Sequence, residues 1–240
     1  MEQVENKLCV LIPAYNEEGS IKDTVIAIYS ALSKSSINHE ILVVNDNSTD
    51  NTLLELEHLG NEVDSLRFLN SELENGFGNT VRYGLDRWNG DVVVIVMADA
   101  SDCPYDIVKF YRAIVSENVD CIFGNRFIKG GSTYNYPFLK LCLNRIINNI
   151  LRLFIDIHYN DYTNAFKMYK RVVIDHITPL KSSDFSLTIE LPLKAIKNNF
   201  SYHVIPNLWW QRKVGYSKLN ILKNFRSYFS VLISFINNKL

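Results

Sequence analysis

The chain carries almost no net charge, no paired cysteines and no long apolar run, and each absence removes a class of function. Across 240 residues, 25 Lys and Arg stand against 26 Asp and Glu, a formal net charge of -1. That balance offers no general attraction to nucleic acid. The four cysteines, Cys9, Cys103, Cys121 and Cys142, show no Cys-x-x-Cys spacing, so neither a zinc site nor a disulfide framework is expected. Cys9 and Cys121 fall inside apolar runs and read as buried thiols of a reducing compartment. The start, Met1-Glu2-Gln3-Val4-Glu5, lacks the pattern of a signal peptide. No apolar stretch is long enough to span a bilayer. A cytoplasmic protein is therefore expected. No Gly-x-Gly-x-x-Gly follows the first apolar strand, which removes dehydrogenase and methyltransferase readings. There is no internal repeat and no low-complexity segment.

What is present is a repeated junction. The run Val92-Val93-Val94-Ile95-Val96 leads straight into Met97-Ala98-Asp99-Ala100-Ser101-Asp102. Leu8 to Ile12 ends in Pro13-Ala14-Tyr15-Asn16-Glu17, and Ile41 to Val44 ends in Asn45-Asp46-Asn47-Ser48-Thr49-Asp50. Unbroken apolar runs fit strands buried on both faces, as in a parallel sheet. Polar residues just past such strands sit at the carboxyl edge, where open α/β folds bind ligands. At any one junction, Asp, Asn and Ser could simply turn the chain and cap a helix. Three acidic junctions together point to a site.

The pattern predicts strands at 7–12, 40–45, 66–69, 91–97, 119–124 and 202–206. It predicts helices at 18–33, 50–58, 77–88, 104–117, 138–154, 186–198 and 218–238. Alternating strands and helices in the first half imply an α/β fold with a mainly parallel central sheet flanked by helices. The expected organisation is one domain over 1–240, with a ligand-binding half (1–125), a second half (126–217) and a C-terminal helix (218–240).

The junctions Pro13 to Glu18 and Val44 to Asp50, with Glu74-Asn75-Gly76-Phe77-Gly78-Asn79 and Gly90-Asp91, stand in an order that resembles the donor-binding half of a family 2 glycosyltransferase. Gly124-Asn125-Arg126-Phe127, Asp161-Tyr162-Thr163-Asn164-Ala165-Phe166 and Arg212-Lys213-Val214-Gly215-Tyr216-Ser217-Lys218-Leu219 resemble its polyprenyl-phosphate, dolichol-phosphate mannose synthase-like branch. The resemblance covers about 7–220 and implies a GT-A fold, an inverting transfer and a UDP- or GDP-sugar donor. It places the nucleotide against Pro13, Tyr15, Glu17, Asp46, Gly76, Gly78, Ala98 and Asp99. Asp46 can accept a hydrogen bond from a base N–H, and Glu17 can reach the ribose. Gly76 and Gly78 allow close backbone approach at a helix start that suits an anion.

Asp99 is the leading ligand for Mg²⁺ or Mn²⁺, with Ser101 and Asp102 close by. Hard cations take carboxylate and phosphate oxygens. The family usually carries a second acid two positions before this Asp; here Met97 stands there, and a thioether does not hold Mg²⁺. Arg126, Arg212 and Lys218 are the cations expected to balance the departing diphosphate. Glu190 is followed by Leu191, where hydroxyl-acceptor members usually have Glu-Asp with the Asp as base. A phosphate acceptor is already anionic and needs no such base, so a lipid phosphate is the expected acceptor. A hydroxyl acceptor of polysaccharide or O-antigen assembly, with Glu190 or Asp161 as base, is the nearest rival. A non-catalytic nucleotide-sugar-binding module is a rival of another class. The final helix is basic and amphipathic, which would bring the enzyme to the inner face of the membrane, or else pack on the domain or on a second copy in a homo-oligomer.

Overall fold

The computed structural model describes residues 6–155, 159–212 and 221–237. The chain runs β1 (Leu8–Ala14), α1 (Ile21–Lys34), β2 (His39–Asn45), α2 (Thr52–Leu59), β3 (Leu66–Asn70), α3 (Phe77–Leu85), β4 (Val92–Ile95), α4 (Pro104–Ser116) and β5 (Cys121–Asn125). It continues with β6 (Ser132–Tyr134), α5 (Phe138–Phe154), β7 (Lys167–Lys170), α6 (Arg171–Ile177), α7 (Leu187–Lys197), β8 (Tyr202–Pro206), β9 (Leu208–Trp210) and α8 (Ile221–Ile236). Seven strands form one sheet in the order β3-β2-β1-β4-β7-β5-β8. Every neighbour pair is parallel except those of β7, which is antiparallel to both β4 and β5. β6 and β9 make a separate two-stranded ribbon.

Successive β1 side chains point to opposite faces. Cys9 and Leu11 join the core that packs α3, α5, α6, α7 and α8, whereas Leu8, Val10 and Ile12 join the core under α1, α2 and α4. The sheet is thus covered on both sides, which is why β1, β4 and the middle of β2 read as continuous apolar runs. Ala14 pairs with Asn45, Asn45 with Asn70, and Leu11 with Ile95. This register brings the ends of β1, β2 and β4 to one edge.

The helix start at Gly76 shows what its glycines are for. A Cβ on Gly76 would lie 2.4 Å from the Ser183 carbonyl oxygen, and one on Gly78 would lie 2.4 Å from that of Ser182 and 2.6 Å from the Ser183 carbonyl carbon. The Asn79 amide donates to the Ser183 carbonyl. Both glycines let α3 press against the 182–184 loop of the second half. Gly78→Ala therefore requires backbone movement and is expected to destabilise the fold by about 1–3 kcal/mol; urea denaturation checks it.

Candidate active site

A cleft of about 780 Å³ opens at the carboxyl edge and is lined by Pro13, Tyr15, Glu17, Asp46, Gly76, Met97, Asp99, Ser101, Asp102, Arg126 and Arg212, among others. The structure brings these sequence-predicted residues together. Gly78 and Ala98 do not line the cleft: Gly78 packs on the 182–184 loop, and the buried Ala98 accepts a hydrogen bond on its carbonyl from the Thr24 hydroxyl. Lys218 lies outside the described residues, as do Lys213 to Leu219 generally.

The first two junctions are braced together. Asn16 donates its amide to the Ser48 hydroxyl, the Thr49 amide donates to the Asn16 side chain, and the Glu17 amide donates to the Thr52 hydroxyl. Glu18 accepts from the Asn51 amide at the start of α2, so its role is to hold the loops. Asn16, Asn47 and Ala100, one at each junction, adopt left-handed backbone with φ of 50°, 53° and 57°. Asn tolerates that region; Ala does so only with strain of roughly 1–2 kcal/mol. The metal-loop candidate is thus held in a conformation its own sequence disfavours.

Asp46 is buried, and its Oδ2 accepts from the Gly76 amide at 2.9 Å. Its Oδ1 has no hydrogen-bond partner among the described residues. Burial pushes the carboxyl pKa upward, against the Gly76 hydrogen bond and the nearby Thr80 hydroxyl. That hydroxyl itself donates to the Gly76 carbonyl. A buried acceptor left open in a cleft is costly unless something fills it. Tyr15 and Pro13 wall the same end.

Arg212 sits between two carboxylates. Its Nε and Nη2 donate to Asp99 Oδ2 at 3.0 and 2.8 Å, and Nη2 also reaches Glu17 Oε1 at 3.2 Å. Burial lowers the guanidinium's pKa, but Asp99 and Glu17 outweigh it and hold it above the ordinary value. The ribbon places this arginine: the Trp210 amide donates to the Ser101 carbonyl and the Gln211 amide to the Tyr134 carbonyl. The Ser101 hydroxyl is buried without a partner among the described residues. Asp102 accepts from the Met97 amide at 3.1 Å, and burial pushes its carboxyl up to about 7.

Beside the cleft, Arg126 and Asp161 form a buried ion pair. The Arg126 Nε and Nη2 donate to the two Asp161 oxygens at 2.9 and 2.7 Å, and its backbone amide donates at 3.0 Å. Arg126 faces the cleft, but its charge is matched at once by Asp161, which does not line it. Glu190 also lies outside the cleft. It accepts the amides of Lys181 and Ser182 at 2.8 and 2.7 Å and pairs with Lys194 at 3.1 Å. Burial raises its carboxyl, and these hydrogen bonds more than reverse that, holding it below the usual range. Its visible work is to hold the 181–183 turn against which α3 packs.

Sequence reasoning missed Lys140, Asp184 and Trp209, all of which line the cleft. Lys140 has no hydrogen bond or ion pair among the described residues. Burial, with the Arg212 charge, lowers its ammonium pKa, while Asp99 raises it. Its signal was weak: one Lys in an apolar helical run. Asp184 accepts from the Ser186 amide and hydroxyl and from the Ser227 hydroxyl of α8, so it ties the C-terminal helix to the cleft wall.

Comparison with known proteins agrees with this geometry. The profile of glycosyl transferase family 2 matches residues 9–178. Polyprenol monophosphomannose synthase of Mycolicibacterium smegmatis is 28% identical over 217 residues, which cover 88% of this chain and 80% of that protein. Dolichol-phosphate mannosyltransferase of Pyrococcus furiosus is 29% identical over 218 residues, 89% of this chain; the match spans 59% of that protein's length. Among solved structures, glucosyl-3-phosphoglycerate synthase from Mycobacterium tuberculosis superposes with a TM-score of 0.75 at 16% identity, over 97% of this chain and 80% of that one. The same enzyme in complex with Mn²⁺, UDP-glucose and phosphoglyceric acid gives a TM-score of 0.73 at 17% identity, over 97% and 80%. The architecture is the GT-A fold. The chain is a glycosyltransferase and belongs to glycosyl transferase family 2.

Proposed function

We propose that the chain transfers a sugar, with inversion, from a nucleotide-diphosphate donor to a polyprenyl-phosphate-type acceptor at a membrane surface. The carrying observation is the acceptor wall. Glu190 and Asp161, the two base candidates of a hydroxyl-acceptor enzyme, are spent on internal partners. Lys140 stands there as a cation with no hydrogen bond or ion pair among the described residues. A wall where Lys140 is open and those two base candidates are engaged suits an anionic nucleophile.

The base would lie between Pro13, Tyr15 and Asp46, whose open Oδ1 accepts a base N–H. Glu17 would meet the ribose. A divalent metal of this kind needs one or two carboxylates plus phosphate oxygens, not an all-protein cage. The residues fit that demand: Asp99 supplies a carboxylate, the unpartnered Ser101 hydroxyl lies two residues on, and no cluster of three acidic, His or Cys ligands stands among the described residues. When bound, Mg²⁺ or Mn²⁺ would neutralise the diphosphate as it leaves. Arg212 would turn from Asp99 toward the same oxygens, and Lys140 would hold the acceptor phosphate beside the anomeric carbon. One oxygen attacks, the sugar–diphosphate bond breaks, and no proton has to be removed.

α8 would bring this chemistry to the lipid. Its apolar face is divided: Tyr228, Val231 and Leu232 are buried on the domain, while Phe225, Ile233 and Ile236 face outward. No described helix is long and apolar enough to cross a membrane.

The test is nucleotide release from a panel of UDP- and GDP-sugars, with and without a polyprenyl phosphate. Release should rise with the lipid phosphate and vanish with a chelator. Lys140→Ala should raise the acceptor KM about tenfold or more, since a charge-assisted hydrogen bond contributes roughly 1.5–3 kcal/mol, and leave the donor KM within about twofold. Equal stimulation by a free saccharide, untouched by Lys140→Ala, would sink the reading.

A further inference from the structure

Trp209 and Gln211, at the end of β9, line the cleft, and neither the nucleotide nor the acceptor phosphate claims them. Positions two apart on an extended chain point the same way. The segment stays extended past Trp210, because the Gln211 amide donates to the Tyr134 carbonyl of β6. Trp210, between them, points away: its ring stacks on Tyr134 at 5.3 Å, and the two are 36% and 44% exposed. The inward ring of Trp209 meets Tyr136, another residue of the cleft lining, at 4.7 Å, so it is backed and held in place. The Gln211 side-chain amide makes no hydrogen bond among the described residues.

The fold fixes where this pair stands. In the sheet, β2, which leads to Asp46 at the nucleobase end, and β5, which leads to Arg126, lie on opposite sides of β4. The ribbon belongs to the β5 side: the Asn207 amide donates to the Asn125 carbonyl, and the Arg126 guanidinium lies 5.9 Å from the Tyr136 ring. The ribbon is also fastened to the loop after β4. Asp102 forms a β-bridge with Trp209, and the Trp210 amide donates to the Ser101 carbonyl. Trp209 therefore stands beside the loop that would hold the diphosphate, on the side away from the nucleobase. In a nucleotide-sugar, the sugar hangs from the outer phosphate on that side.

A pyranose has a face of C–H groups and a rim of hydroxyls. The apolar body of a Trp ring can cover the first. A Gln amide, with two N–H donors and an acceptor oxygen, can pair with the second. We propose that Trp209 and Gln211 form the sugar subsite of the donor, the ring lying against the C–H face of a pyranose and the amide pairing with its hydroxyls. The assignment rests on the nucleotide-sugar donor proposed above and adds the residues that choose the sugar.

Titration calorimetry on the full chain, with Mn²⁺ and no acceptor, tests it. UDP and GDP are compared with UDP-glucose, UDP-galactose, GDP-glucose and GDP-mannose. At least one nucleotide-sugar should bind wild type more tightly than its own nucleotide. Trp209→Ala should weaken that nucleotide-sugar about tenfold and leave the nucleotide within about twofold. Trp209→Phe keeps a ring and should restore most of the difference. Gln211→Ala should change the preference between epimeric sugars on one nucleotide, as expected when a hydroxyl loses its partner. Gln211 is exposed, so this variant decides the matter if Trp209→Ala does not fold: an unchanged preference overturns the proposal. Equal weakening of nucleotide and nucleotide-sugar in Trp209→Ala would mean that the ring only braces the Ser101–Asp102 loop, and would overturn it too. Nucleotides that bind wild type with no gain from any sugar defeat the subsite and leave the nucleotide site standing. Binding of neither UDP nor GDP defeats the donor reading itself, and the subsite with it.

Discussion

Asp99→Asn is expected to cut turnover by about 10²–10³-fold, the size of loss seen when one preorganised electrostatic contact to a developing charge is removed, with little change in melting temperature. The two effects separate because the residue has two duties. In the structure Asp99 Oδ2 accepts both Arg212 contacts. An amide oxygen can still accept them, giving up only the 3.2 Å bond that Oδ1 accepts from the Ser101 amide, so the loop keeps its tie to the arginine. It cannot serve as an anionic ligand for Mg²⁺ or Mn²⁺, nor balance that cation beside the diphosphate. Met97→Asp supplies the missing acid two positions earlier and should lower the metal concentration needed for half-maximal rate. Steady-state rates over a metal titration, beside thermal melts of each variant, decide the matter. Normal turnover of Asp99→Asn in chelator-treated buffer would show that the chemistry does not run through this carboxylate.

The sequence revealed most where burial is two-sided. β1, β4 and the middle of β2, Ile41 to Val44, are apolar at every position because helices cover both faces, and the acids at their ends were readable for the same reason. α5 was readable to its ends, from 138 to 154. Its orientation was not. Periodicity shows that a helix has an apolar face, but not whether that face meets a core or the solvent.

Contacts across many residues were hidden more thoroughly. β7 is four residues, Lys167-Met168-Tyr169-Lys170, with lysine at both ends, too short and too polar to be predicted as a strand. It inserts antiparallel between β4 and β5 by backbone pairing, and the Lys167 ammonium it buries there donates to the carbonyls of Tyr162, Asn164 and Thr188. Burial, partly offset by Asp161, pulls that ammonium down to about 7. The α6 helix and the β6–β9 ribbon escaped for the same reason: each is short and defined by its partners. Gly76 and Gly78 were legible as close-approach positions, but what approaches is the 182–184 turn, about a hundred residues away, and Glu190 holds that turn in place.

Asp161→Ala should be the most destabilising single change near the cleft, at about 3–5 kcal/mol, the range for breaking a buried ion pair by removing one partner. Arg126 and Asp161 are both essentially inaccessible, and three donors of one residue converge on one carboxylate. Without it a guanidinium stays buried with nothing opposite, and the turn at 161–165 loses its anchor to β5. For a chain of this size such a loss lowers the melting temperature by roughly 10 °C. Transfer should fall as well, because Thr163, Asn164 and Ala165 of that turn line the cleft. Arg126→Met with Asp161→Leu removes both charges and should recover much of the stability, since buried pairs replaced by apolar groups of similar volume are often neutral. The double variant should not recover transfer, because the turn also needs the Arg126 amide bonded to the Asp161 carboxylate to hold its shape. Denaturation and turnover measured on the same three proteins separate these effects. A loss under about 1 kcal/mol in Asp161→Ala would mean that the turn is held by its amide network, through Asn144, Asn148 and Thr163, and that the ion pair is incidental to the cleft.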